Sequence, residues 1–531
     1  MLYPAVVLFP RPMTGPPQET DFVVIGAGIA GLRAAIELAE AGRVLVLTKK
    51  EIPNFKPTDW KSEAGWLSDE DEVSLHLQDT LNAGDGLCNP EAVRILVDEG
   101  AERIDELTAW GKHHGTKLVF ELENAHTRVR VLHCQGASMA KEVLRVLYAR
   151  AHPLKHISFL PFSFASRLRS ETGRITGISV IDEKGLPHEI SCSAVLLATG
   201  GLGQIYRNTT SSESATADGL ALAVCAGAEI NNLEFIQFHP TALYMKKVPP
   251  FLLEEELRSE GAYLRNFEMD RFMGKYHPLG ERAPRDLVSR AIVHEMEVSR
   301  AKDPFVYLDL THLSGPKVQK RFPRVYESFM AHNIDITEDL IPVRPAACSS
   351  VGGVRTDLDG RTNIPALYAA GEVAATGVHG ANRMPGNSLL EALVYGARAG
   401  KAMRETPKAD SQLAPDSKVA HPNGPLDAGV EEFIRQIQDL MWSEIGIVRL
   451  RPGMQKAVKL LEEMSPRVAA PQTRRDHEAA NLHLTALLVA RSALAREESR
   501  GAHYRIDYPD HDDKKFLKRS VVRGDKVVFL A

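Results

Sequence analysis

The residues of this chain best suited to chemistry begin at a glycine cluster. Gly26-Ala27-Gly28-Ile29-Ala30-Gly31 follows directly on the apolar run Phe22-Val23-Val24-Ile25 and opens a stretch, residues 32–41, that reads as a helix stopped by Gly42. Val44-Leu45-Val46-Leu47 is a second short apolar run, and such runs suit buried parallel strands. This is the strand–turn–helix–strand context in which G-x-G-x-x-G binds a dinucleotide. Gly26 permits the tight turn, Gly28 lets backbone approach a pyrophosphate, and Gly31 lets helix pack on strand. The phosphates would rest on the unpaired N–H groups of the helix N-terminus, with Ala27, Ile29 and Ala30 completing the turn. The second run ends in Thr48-Lys49, not in the acidic residue that usually grips a ribose, which disfavours NAD.

Four stretches then occur in a telling order: Thr48-Lys49, Ala198-Thr199-Gly200-Gly201, Ala217-Asp218-Gly219 and Tyr368-Ala369-Ala370-Gly371-Glu372. In this order the chain resembles the succinate dehydrogenase/fumarate reductase flavoproteins. The resemblance implies FAD, with Gly200 and Gly201 closing a strand behind it, Asp218 among its contacts and Glu372 accepting ribityl or ribose hydroxyls. Further stretches are similar to the L-aspartate oxidase branch. They are Gln237-Phe238-His239-Pro240-Thr241-Ala242-Leu243-Tyr244, Glu281-Arg282-Ala283-Pro284-Arg285-Asp286, His379-Gly380-Ala381-Asn382-Arg383, Asn387-Ser388-Leu389-Leu390-Glu391, and the C-terminal Arg496-Glu497-Glu498-Ser499-Arg500-Gly501-Ala502-His503-Tyr504-Arg505.

That likeness implies a substrate with two carboxylates, L-aspartate or another C4 dicarboxylate, and planar guanidinium forks suit carboxylates. Arg285, His239 and Glu123 take catalytic places in the pattern. Glu123 stands near the substrate amine, where a succinate oxidiser has no use for a charge. Arg383, Thr241, Glu254 and Cys348 take substrate-binding places, and Asn387, Ser388 and Leu389 meet the flavin. The implied reaction moves hydride from Cα to the flavin and yields iminoaspartate; the redox chemistry belongs to the cofactor. Oxygen or fumarate would be the acceptor, the product would feed quinolinate and NAD synthesis, and contact with quinolinate synthase is a further expectation. Residues 54–72 hold no histidine of the kind that attaches flavin in the succinate dehydrogenases, so FAD is expected to be non-covalent.

The elements that must position these groups need more than one core, since the chain has 531 residues, 44% hydrophobic and 25% charged, as in a multi-domain globular protein. The expected fold class is α/β: a split FAD-binding Rossmann-like domain, residues 21–238 and 340–405, with an inserted α+β capping domain, 239–339. A linker, 406–427, rich in Pro, Asp, Ser and Lys, would lead to a C-terminal helical domain, 428–531, where apolar residues recur at helical spacing. Residues 1–20 read as a loose extension without signal-peptide features. The net charge of −5 and the lack of basic clusters exclude a general nucleic-acid binder, and no apolar run could span a bilayer. Cys88, Cys134, Cys192, Cys225 and Cys348 lie far apart without a C-x-x-C pair. That set excludes a disulfide framework and a zinc site, and suits the cytoplasm.

Departures from the family pattern fall at ligand positions. Trp60-Lys61-Ser62-Glu63-Ala64-Gly65-Trp66 replaces a glycine-rich loop, and Gly136-Ala137-Ser138-Met139-Ala140 loses polar groups. Cys348 replaces a histidine, forfeiting a hydrogen bond to a charged group of about 1.5–3 kcal/mol. Glu254 stands where the branch has a hydroxyl; facing a carboxylate, it would cost about 4 kcal/mol at about 4 Å and an effective dielectric of about 20. Two classes therefore stay open: a working L-aspartate oxidase, or a flavin-bound relative whose activity is weakened, lost or redirected.

Overall fold

The structure, a computed structural model, describes residues 15–52, 73–111, 118–121, 127–128, 131–134, 139–245, 252–253, 255–407, 428–468 and 470–530. Glu123, Glu254, the loop 60–66 and most of the 136–140 stretch and of the 406–427 linker lie outside these residues.

Phe22–Ile25 (β1) and Val44–Leu47 (β2) are strands, fully buried as their uninterrupted apolar runs require, and Ile29–Leu38 (α1) is the helix between them. They belong to a five-stranded parallel sheet in the order Leu367–Ala369, Ala194–Leu197, β1, β2, Ile157–Leu160. The glycine turn thus opens at the carboxyl end of the central strand, where ligands of open α/β sheets bind. Helix Asn387–Arg404 lies against α1. A three-stranded antiparallel meander, Phe164–Glu171, Arg174–Ile181 and Pro187–Ser191, attaches to this body.

The inserted cap has its own core, built from a four-stranded antiparallel sheet in the order Ile236–Leu243, Ile341–Ser350, Val306–Asp309, Tyr263–Arg265, and helix Arg285–Val298. Its first two strands carry His239 and Cys348 and lead directly from and into the FAD-binding part. The register slips between Gln237 and Phe238, which pair with Ser349 and Ala347, so Cys348 is the surplus residue of a β-bulge. Bulges re-aim side chains and recur beside active sites.

Helices Ala428–Glu444, Arg451–Met464 and Arg474–Ala495 form the helical part foreseen from periodicity. The helix α1 starts and ends three residues before the expected 32–41, and two further details differ from the reading of the sequence. The last residues are strands: Arg519–Arg523 and Lys526–Leu530 form a hairpin that pairs with Ile230–Asn231 of the FAD-binding part. Residues 18–20, read as part of a loose extension, are held to Ser191 by two backbone hydrogen bonds, at 3.0 and 2.9 Å. Both depend on edges presented by distant segments, which local pattern cannot reveal. Among the described residues no helix is long and apolar enough to cross a membrane.

Candidate active site

A cavity of about 480 Å³ lies at the carboxyl ends of the parallel strands, within the range of small-ligand sites. Residues 25–30, Thr48, Lys49, Gly200, Asp218 and Glu372 all line it. Gly26 has φ +117°, and a Cβ there would lie 2.1 Å from the Ala198 oxygen, so the turn admits no other residue. A Cβ on Gly28 would meet nothing within 4 Å, which leaves its backbone open toward a ligand. The helix that follows has no side-chain cap, so its first N–H groups await an acceptor. Gly201 does not line the cavity; its bare Cα makes room for Glu372, whose Oε1 would stand 2.3 Å from any Cβ. Glu372 accepts the Ser350 N–H at 2.9 Å, and burial pushes its carboxyl up. Gly31 lies behind the turn, where a Cβ would strike the Gly26 oxygen at 2.0 Å.

Lys49 behaves otherwise than a ribose ligand. Its ammonium donates to Thr216 Oγ1 at 2.5 Å, Asp218 Oδ2 at 2.7 Å and Glu478 Oε1 at 3.0 Å. It therefore ties the cavity wall to helix Arg474–Ala495. Asn387 also turns away: its amide meets His76 Nε2 and Thr80 Oγ1, each at 2.9 Å. The backbone N–H groups of residues 387–389, at a helix start after Gly386 with φ +81° and without a side-chain cap, are available to a cofactor carbonyl.

Beside this cavity the cap and the Arg383 segment bring together cationic and buried polar groups. Arg383 donates from Nε to Gln237 Oε1 at 3.1 Å and from Nη1 to Ser388 Oγ at 2.9 Å. Gln237 returns its amide to Asn382 Oδ1 and the Arg383 carbonyl, at 2.9 and 2.7 Å. Arg285, at the first turn of its helix, donates from Nε to Glu255 Oε1 at 2.6 Å; Arg258 Nη2 reaches the same oxygen at 2.9 Å. Burial opposes ionisation of Glu255, but Arg285 and Arg258 overcome it and hold the carboxyl at about 2. His239 is buried; its Nδ1 lies 3.2 Å from the Thr241 carbonyl and 3.3 Å from the Thr241 nitrogen, and its Nε2 has no partner among the described residues. Burial first, then Arg285, pushes its pKa well below the ordinary value, so the ring is neutral. Glu255 Oε2 is likewise buried without a partner among the described residues. Such groups in a cleft, unpaired until a ligand arrives, mark a candidate site.

Thr241 is fully buried and donates its hydroxyl to the Leu253 carbonyl at 3.0 Å, so it fixes the chain leading to Glu255. Cys348 feels both Arg383 and Arg285, yet desolvation dominates and pushes its thiol up. Its Sγ donates to the Gln237 carbonyl at 3.3 Å, as a plain half-buried thiol would.

Comparison with known proteins agrees with this arrangement. Residues 21–389 match the family model "FAD binding domain" and residues 434–528 match "Fumarate reductase flavoprotein C-term". The L-aspartate oxidase of Synechocystis sp. is 37% identical, covering 96% of this chain and 98% of its own length. That of Caulobacter vibrioides is 39% identical over 92% of this chain and 94% of its own. The chain belongs to the L-aspartate oxidase family. E. coli quinol fumarate reductase FrdA superimposes with a TM-score of 0.83 at 28% identity, covering 96% of each chain. The protein is thus an FAD-dependent enzyme of the L-aspartate oxidase type, within the succinate dehydrogenase/fumarate reductase flavoproteins.

Glu255 and Arg258 were not foreseen. The run Glu254-Glu255-Glu256 offers three adjacent carboxylates; Glu255 and Glu256 are both buried, and Glu255 accepts from Arg285 and Arg258. The available signal was the i, i+3 spacing of Glu255 and Arg258, on a helix that begins at Glu255.

Proposed function

We propose that this protein oxidises L-aspartate to iminoaspartate, with oxygen or fumarate as acceptor, as the first step toward quinolinate and NAD. The reading is carried by the Arg258–Glu255–Arg285 trio set beside the unpaired His239 Nε2 and opposite Arg383. The trio retains one net positive charge and Arg383 adds another, which matches the two carboxylates of aspartate. In the tautomer whose Nδ1 accepts the Thr241 N–H, His239 carries its proton on Nε2. It then offers a carboxylate a donor without adding a third buried charge. Bound FAD supplies the electron-accepting group for the hydride of Cα. The neighbouring residues hold that carbon against the cavity, and such positioning can supply much of the rate. The test is anaerobic mixing of holoenzyme with L-aspartate, which should bleach the flavin; a spectrum unchanged by L-aspartate would overturn the reading.

FAD should be held without a covalent bond, because residues 54–72 contain no histidine. Acid precipitation should leave yellow flavin in the supernatant; flavin retained in the pellet would refute non-covalent attachment.

A second reading, a relative of weakened or redirected activity, is favoured by Cys348, whose thiol hydrogen faces the Gln237 carbonyl. Cys348→His should then tighten succinate binding about tenfold, the worth of one charge-assisted hydrogen bond. Titration of flavin absorbance reads this out, and an unchanged affinity would show that the position does not reach the ligand.

A further inference from the structure

A second cavity, of about 220 Å³, lies on the far side of the Arg383 segment, between strand Ile230–Asn231, residues 355–358, residues 375–380 and Arg519 of the C-terminal hairpin. Its walls carry an unusual concentration of unmatched groups. Asn231 Oδ1, Thr356 Oγ1 and His379 Nδ1 are all buried there without a hydrogen-bond partner among the described residues. Asn231 is 4% exposed and His379 6%. The other ring nitrogen of His379 is committed to Glu391 at 3.0 Å.

Charge is unmatched as well. Arg355 and Arg523 share Glu229, the latter at 2.9 Å. Arg519 has no hydrogen-bond or carboxylate partner among the described residues, although burial and then Arg355 disfavour its charge. The only carboxylate among the lining residues, Asp357, accepts the N–H groups of Asp359 and Arg361, each at 2.9 Å. A half-buried guanidinium beside a second one, with no carboxylate paired to it among the described residues, is a costly arrangement unless a ligand completes it.

We propose that this cavity binds a small oxyanion, a carboxylate or a phosphate group, at a site separate from the substrate site. Arg519 supplies the charge and the planar donors, and the Thr356 hydroxyl supplies another. Asn231 can present its NH₂ by a half-turn of its amide, since the two ends are nearly equal in shape. The volume limits the guest to a few heavy atoms. Its occupant would rest on His379, four residues before Arg383, while Glu391, the partner of His379, is on the helix that begins at Asn387. Both ends of the segment that carries Arg383 are therefore within its influence. The proposal stands independently of aspartate turnover.

The test is thermal unfolding of the holoenzyme in sodium phosphate or sodium acetate, against sodium chloride of equal ionic strength. A ligand of the native state raises the midpoint by mass action. One of the two anions should raise it in the parent, and which one does so distinguishes phosphate from carboxylate. Arg519→Gln should need at least tenfold more anion for the same rise, with the flavin spectrum unchanged. Arg285→Lys, altered only at the substrate site, should respond as the parent does. If neither anion acts beyond chloride, if Arg519→Gln matches the parent, or if Arg285→Lys abolishes the effect, the proposal is wrong. Should Arg519→Gln fail to fold, Thr356→Val is expected to weaken the response at least threefold, and an unaltered response there would equally overturn it.

Discussion

Arg285→Lys is expected to keep a full complement of FAD and to lose L-aspartate oxidation by about 100- to 1,000-fold. Lysine keeps the charge but lacks Nε and the planar fork, and Nε is the atom that holds Glu255 at 2.6 Å. Two consequences follow from one change. The substrate carboxylate loses a bidentate partner, and Glu255 keeps only Arg258 of its two cationic neighbours. Its carboxyl, held at about 2 by the pair, should then rise toward the ordinary range, because burial alone drives it upward. The cofactor cavity is lined by other residues, so flavin content should be unaffected. The measurements are the flavin-to-protein ratio, kcat/KM for L-aspartate and the rate of fumarate reduction. A loss of flavin in parallel with activity would indicate a damaged cap, and full activity would return Arg285 to a purely structural ion pair.

Arg496→Met should be the most destabilising single change in the C-terminal part, by roughly 3–5 kcal/mol. Arg496 is fully buried, donating to Glu234 at 2.6 Å, to Glu498 at 2.8 Å and to the carbonyls of Phe516 and Lys518, each at 2.8 Å. Methionine fills much of the volume but leaves two buried carboxylates short of a cation. Ser520 on Glu234 and Arg500 on Glu498 offset only part of that loss. The effect should reach the substrate site. Gly501 N–H donates to Asp85 at 2.8 Å and Ala502 N–H to the Ala381 carbonyl at 2.9 Å, so this motif braces the segment that carries Arg383. A melting midpoint lower by several degrees, with a raised KM for L-aspartate and little change in kcat, is the expected pattern. A stable variant with unchanged KM would show that the brace is redundant.

The cofactor half of the protein was legible in the sequence because its physics is local. A glycine turn between two apolar runs specifies a phosphate cradle from fewer than thirty adjacent residues, and β1, α1 and β2 form as those residues require. The family motifs likewise singled out Arg285, Arg383 and His239, which the fold brings near one another around Cys348. Their partners were another matter. That Glu255 meets Arg285 depends on the phase of a short helix and on a residue thirty positions away. Lys49 reads as part of a flavin-family motif, and only the fold shows that helix Arg474–Ala495, more than four hundred residues later, brings Glu478 to it. Cys348 reads as a lost histidine, and only the bulge in strand pairing shows where its thiol rests.

The same holds for the unmatched Arg519, which the chain alone presents as one more surface arginine. Sequence determined which groups exist and which short-range conformations they prefer, because backbone sterics and apolar periodicity act over a few residues. Tertiary structure decided which charges are buried together. In the interior the energy of a charge depends on neighbours within a few ångströms, whatever their distance along the chain.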